Sequence, residues 1–184
     1  AAQAGDPYEF LAAQQYRHLA LLHRGAWGEM ACQLREAMEV AERNGHVLWL
    51  ETLRFQEGWL RCECFDADGA VARCAASAAS ARAVGHLAGE SLSLAVGGRA
   101  HLGAGRLADA APCFARLREL LPAVVPSGLG VFLHLAEAEG FLATGDGPQA
   151  EAAARRAEKA AAAAGDRAQV SLARMLVGEA AVNR

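Results

Sequence analysis

Apolar residues recur at steps of three and four along nearly the whole chain, and the pattern is interrupted about every 20 residues. Leu11, Ala12, Gln15, Leu19 and Leu22 keep that spacing up to Gly25. Met30, Leu34, Ala37, Met38 and Ala41 share one face of the next segment, from Trp27 to Asn44. Such spacing marks helices with one apolar face, and no segment sustains the alternation of a strand. The interruptions fall in two registers. Gly25, Phe65-Asp66, Gly105-Arg106 and Gly145-Asp146 recur with a period of about 40 residues, and Gly45, Gly85 and Gly165 stand half a period out of phase with them. Val125, between Pro122 and Pro126, holds the missing place in the second register. Breaks that alternate in this way predict a stack of helical hairpins, each burying its apolar face against its neighbours.

The predicted units are 6–45, 46–85, 86–125 and 126–165, with a half-unit over 166–184. The expected fold class is all-α: one domain, a right-handed α-α superhelix of about four hairpins plus a final helix, nine helices in all. Asp6-Pro7 supplies a capping side chain and a proline at the first helical position, and Asn44-Gly45 is a C-terminal stop. The later helices are expected over Leu48–Phe65, Gly69–Val84, Leu87–Ala104, Leu107–Leu121, Gly128–Thr144, Pro148–Ala164 and Arg167–Asn183. Pro112 is expected near a helix start, and Pro122–Ser127 forms a longer loop.

Superposing the units sorts positions into columns. Met30, Ala70, Ala110 and Ala150 align, as do Leu34, Cys74, Phe114 and Ala154, and Ala37, Ser77, Leu117 and Ala157. In the first helices Gly58, Gly98, Ala138 and Gly178 align, small residues that let backbones approach, while His18 breaks that column.

Composition narrows the function classes. Apolar residues make up 53% and charged residues 21%, with much alanine, so the chain is expected to be ordered, soluble and helical. A net charge of −3 argues against a nucleic-acid-binding face. No apolar run is long enough for a membrane span. Cys32, Cys62, Cys64, Cys74 and Cys113 form an odd set without framework spacing or a leading secretory segment, which points to free thiols in a cytoplasmic setting. The arginine and alanine bias, with Lys159 the single lysine, suggests a GC-rich bacterial genome. The start Ala1-Ala2-Gln3, lacking methionine, fits a segment of a larger protein.

The series Gly98, Gly105, Ala110 and Phe114 resembles the tetratricopeptide repeat, although the period is about 40 residues instead of about 34. With second helices ending in alanines before Gly-Asp or Gly-His, the chain looks more like the helical arms of MalT-like or LuxR-type regulators and large bacterial signalling ATPases. The resemblance implies a cytoplasmic arm that binds a protein or peptide partner, an inducer, or other domains of its own chain. It also implies that first helices line a concave face. Carried over position by position, that face holds Gln15, Leu19 and His23, then Thr52, Phe55, Trp59 and Glu63. Leu92, Arg99 and Leu102 follow, then Phe132, Leu135, Glu139 and Leu142, and finally Met175 and Glu179. A largely apolar stripe with Trp59 and Phe55 beside Arg99 would take an apolar helix or extended peptide, or a small inducer with an acidic group. The plainer alternative is that Phe55 and Phe132 are core between units and that Arg99 pairs with Glu139, its equivalent one repeat on.

Chemistry is less well supported. Cys62 and Cys64 point about 200° apart on a helix, so they do not form a metal pair. Asp66-Ala67-Asp68-Gly69 lacks the later acids of a calcium loop and is explained by Asp68 capping the next helix. Gly103-Ala104-Gly105 has no phosphate-loop lysine. His18, His23, His46, His86, His101 and His134 are scattered, and no serine or cysteine has an evident base. The reading is therefore a non-enzymatic interaction or sensing module without cofactor. The alternatives are a free-standing tetratricopeptide adaptor or assembly factor and, behind it, a helical enzyme using thiols and histidines.

Overall fold

A computed structural model describes residues 6–125 and 129–182. Among them the chain forms nine helices and no strand: α1 (Pro7–His23), α2 (Trp27–Arg43), α3 (Val47–Glu63), α4 (Ala67–Ala83), α5 (Leu87–Gly103), α6 (Leu107–Val124), α7 (Gly130–Ala143), α8 (Gly147–Ala163) and α9 (Arg167–Val182). This is the all-α superhelical repeat expected from the sequence.

One turn geometry accounts for the rhythm of breaks. At Gly25 the backbone is left-handed (φ 71°), the Gly25 amide bonds the Leu22 carbonyl, and the Ala26 amide bonds the Leu21 carbonyl at 2.9 Å. That pairing closes the helix end and reverses the chain. It recurs at Gly45, Gly85, Gly105, Gly145 and Gly165, so both registers of breaks are one kind of turn. The same bonds form at Phe65, where φ is 60° and the ring is 94% exposed. A residue with a Cβ is strained there by about 1–2 kcal/mol.

Several boundaries differ from the sequence reading, each for a local reason. Helix α3 stops at Glu63 because Phe65 takes the turn conformation. Asp66, not Asp68, caps α4, accepting from the Gly69 amide at 3.0 Å, so that helix starts at Ala67. Asp68 instead pairs with Arg106 of the next unit at 2.6 Å. Pro112 lies in the second turn of α6, and the helix continues through Pro122 to Val124. Val125 keeps helical angles (φ −53°), so the left-handed turn is absent there. The remainder of the loop expected over Pro122–Ser127, and the start of the following helix at Gly128, lie outside the described residues.

The odd-numbered helices form an inner row in which α1, α3, α5, α7 and α9 pack successively on one another. Even-numbered helices pack only on inner ones, so they form an outer row and the inner row lines the concave side. The aligned columns are this contact. Met30, Ala70, Ala110 and Ala150 are at most 1% exposed, and Leu34, Cys74, Phe114 and Ala154 at most 3%. Opposite them, a Cβ on Gly58 would lie 2.5 Å from Cys74 Sγ, and one on Gly98 2.7 Å from the Phe114 ring. Gly178 departs from the column: a Cβ there meets nothing within 4 Å. His18, which replaces the small residue in the first unit, is buried and bonded through Nδ1 to Gln56 Oε1 at 2.8 Å. Gln56 in turn donates to the Gln15 carbonyl, tying α1 to α3. Burial holds the His18 imidazole below its usual range.

Candidate functional site

The inner row encloses a groove of about 850 Å³ whose wall includes residues of α1, α3, α5, α7 and α9. Helix α5 makes it possible. Its sequence is rich in glycine, serine and alanine, and it is buried at Gly89, Ser91, Ser93, Ala95, Gly97 and Gly98. Neighbouring helices can therefore close over it. Trp59 of α3 and Phe132 of α7 belong to helices that do not pack on each other, yet their rings lie 4.8 Å apart across α5.

Around that contact the groove floor is aromatic. His23 meets Trp59 edge-on at 5.9 Å, and Phe55 lies 5.7 Å from it. Phe55, Cys74 and Val96 form the buried cluster beneath, with Trp59, Leu92 and Phe132 packed against it. The Trp59 indole donates to Glu63 Oε1 at 3.0 Å, which fixes the ring. Arg99 lies 6.0 Å over the Phe132 ring and pairs through Nε with Glu139 Oε2 at 2.8 Å. Burial raises the Glu139 carboxyl above its usual range; Arg99 opposes this, and the charges of Glu179 and Glu63 add to it.

Of the sequence-derived candidates, Gln15, His23, Thr52, Phe55, Trp59, Glu63, Arg99, Phe132 and Leu135 all line the groove, as do Leu19 and Leu92. Glu139 stands behind it, holding Arg99. Leu102, Leu142, Met175 and Glu179 are not among the lining residues. The two readings of the aromatics meet here. Phe55 is 6% exposed and belongs to the core, while Trp59 and Phe132 are half-buried, with the groove on one side and core on the other.

The sequence reading missed the pair Glu51–His86. Glu51 is 1% exposed and accepts from His86 Nδ1 at 2.9 Å, at the N-terminal end of α5, where Gly89 leaves room for the carboxylate. It also missed Trp27, Asp166, Gln169 and Leu172, which reach the groove because the superhelix brings distant turns around it. The regular recurrence of His46 and His86 one period apart was the only hint of that imidazole.

Thiol chemistry finds little support. Burial pushes the Cys62, Cys74 and Cys113 thiols up, away from the reactive thiolate. All five cysteines are unpaired. Among the described residues no group of three or more histidine, cysteine and acidic side chains could hold a metal ion, and no helix is long and apolar enough to cross a membrane. Compared with known proteins, the sequence matches no family model and no curated protein.

Proposed function

We propose that the chain is a non-catalytic binding module whose concave groove receives a segment of a protein partner, as in the helical arm of a bacterial signalling or transcriptional regulator. The observation that carries this reading is the groove itself. The five inner helices and the first residue of α2, Trp27, contribute to one largely apolar hollow with Trp59 at its floor, the kind of residue that dominates binding energy at interfaces. A wall built from successive repeats also ties occupancy to curvature, because each unit touches only its neighbours. The resemblance to tetratricopeptide-like arms, and a period near 40 residues like that of the regulator subgroup, support the reading. Partner binding by this segment involves neither nucleic acid nor membrane.

The test is selection from a random-peptide phage library on the immobilised chain. Thr52→Trp adds an indole at a half-buried position of the groove wall, outside the buried core. Clones that bind the native chain and are lost on T52W are the expected result. Clones indifferent to T52W, or none at all, would sink the peptide-groove reading. A small-molecule inducer is the second reading, favoured by a volume within the range of about 300–1,000 Å³ typical of ligand pockets. The encompassing reading frame separates arm from adaptor. An ATPase or DNA-binding domain on the same frame supports the regulator arm, and its absence supports a free-standing adaptor in a cytoplasmic assembly.

A further inference from the structure

The groove carries a charge that its apolar lining conceals. Glu51, Glu63 and Asp166 line it, whereas Arg99 is the sole arginine or lysine that does so among the described residues. Arg99 is already committed to Glu139 and rests over Phe132, so it offers little to an incoming acid. Glu63 also acts on Glu139 from nearby, so this carboxylate lies beside the Arg99–Glu139 pair. Beside them, Trp59 presents an aromatic ring, and such rings attract cations, as Phe132 already does with Arg99. Glu63 is held against the Trp59 indole nitrogen, so ring and carboxylate are fixed together before any ligand arrives.

We propose that the groove selects a basic, apolar peptide segment: aliphatic or aromatic side chains against Phe55, Leu92 and Leu135, and an arginine or lysine taken by Trp59 and Glu63. This rests on the peptide-groove reading above and adds the chemistry of the partner. The extent of the groove favours a peptide over a free amine. Its lining includes Gly25 of the α1–α2 turn, Glu63 at the end of α3 and Asp166 of the α8–α9 turn, and a lone amine would fill only part of about 850 Å³. Charge of one sign in a cleft also speeds encounter with the opposite sign, and that effect weakens as salt rises.

The experiment sequences the groove-dependent phage clones and measures one of them as three synthetic peptides. These share an apolar frame and carry arginine, glutamine or glutamate at the charged places. Fluorescence polarisation reads their binding to the native chain and to Glu63→Gln and Glu63→Arg. Glu63 ends α3, where arginine suits the helix terminus, and E63Q keeps an acceptor for the Trp59 indole. The arginine peptide is expected to bind best, to weaken as salt rises, and to lose about tenfold on E63R and less on E63Q. The glutamate peptide is expected to gain on E63R. Groove-dependent clones that are acidic, or an arginine peptide indifferent to E63R, would overturn the basic-segment proposal and leave the groove reading standing. An absence of groove-dependent clones would remove both.

Discussion

Position 114 of the third unit is a phenylalanine, position 154 of the fourth is an alanine, and both are buried where a second helix meets the first helices beside it. The Phe114 ring fits because two glycines face it. A Cβ on Gly98 of α5 would come within 2.7 Å of the ring, and one on Gly140 of α7 within 2.6 Å. The fourth unit fills its contact in the opposite way. Ala138, Ala150, Ala153, Ala154, Ala157 and Ala161 are all fully buried, so small side chains meet small side chains and no large ring is inserted. The recurring left-handed turn sets the backbone plan, and side-chain volume is distributed within it by compensation across the contact. A large residue on one helix is matched by glycine on the facing helices, and alanine is matched by alanine.

The largest test of this comparison is Phe114→Ala. It removes the ring from between two backbones that lack side chains to fill the space, and the expected loss is about 3–5 kcal/mol of unfolding free energy. Denaturant unfolding would read it. Ala154→Gly in the fourth unit removes one methyl and should cost about 1 kcal/mol, mainly through helix propensity. Similar losses at the two positions would mean that the ring is not the wedge that separates α5 from α7.

Gly98→Ala comes next. A Cβ there must displace a rigid ring that has Gly140 on its other side, so overpacking of about 1–3 kcal/mol outweighs the helix-propensity gain of alanine. Adding Phe114→Leu should relieve part of that cost, and additive losses would show that the two positions do not share one contact.

This pairing also shows what was legible in the sequence. The column of Leu34, Cys74, Phe114 and Ala154 and the opposing column of Gly58, Gly98 and Ala138 emerge from the period alone, because both partners recur once per unit. Gly140 is the second partner of Phe114 but belongs to a different column, so superposing units could not reveal it. The groove follows the same logic. Trp59 and Arg99 occupy one repeat position and were readable as a stripe. Asp166, Gln169 and Trp27 enter the wall through superhelical curl, a property summed over all the helix contacts, which no local pattern encodes. Glu51 was hidden for another reason: its column mixes Leu11, Ser91, Val131 and Ser171, so repeat position gives no consistent chemistry that would mark a buried carboxylate.

The third unit differs from the fourth in charge as well. Glu90 of α5 is 1% exposed and receives Arg82 of α4 at 2.8 Å and Arg116 of α6 at 3.0 Å; its counterpart one repeat later is Gly130. Burial pushes the Glu90 carboxyl up, but the hydrogen bonds from Arg116 and Arg82 together hold it below its usual range. A carboxylate depressed in the fold stabilises it above the unfolded-state value, and that contribution disappears as pH falls through the folded value. Glu90→Gln should therefore cost about 1 kcal/mol at neutral pH, since both arginines keep contact with solvent. Thermal melts of the two proteins should converge below about pH 4, in the carboxylate range. A gap that persists into acid would assign Glu90 a packing role in place of an ionic one.

The smallest expected effect has the opposite sign and comes from the same column as Gly98. Gly178 lies inside α9, where glycine weakens a helix, and a Cβ built on it meets nothing within 4 Å. Gly178→Ala should raise stability by about 0.5–1 kcal/mol, partly by restricting the unfolded chain. Two glycines at equivalent positions thus respond in opposite directions because one faces a phenyl ring and the other faces open space. Repeat position alone would assign both the same role. A loss of stability in G178A, read by the same denaturant titration as G98A, would place an unrecognised contact on that face of α9.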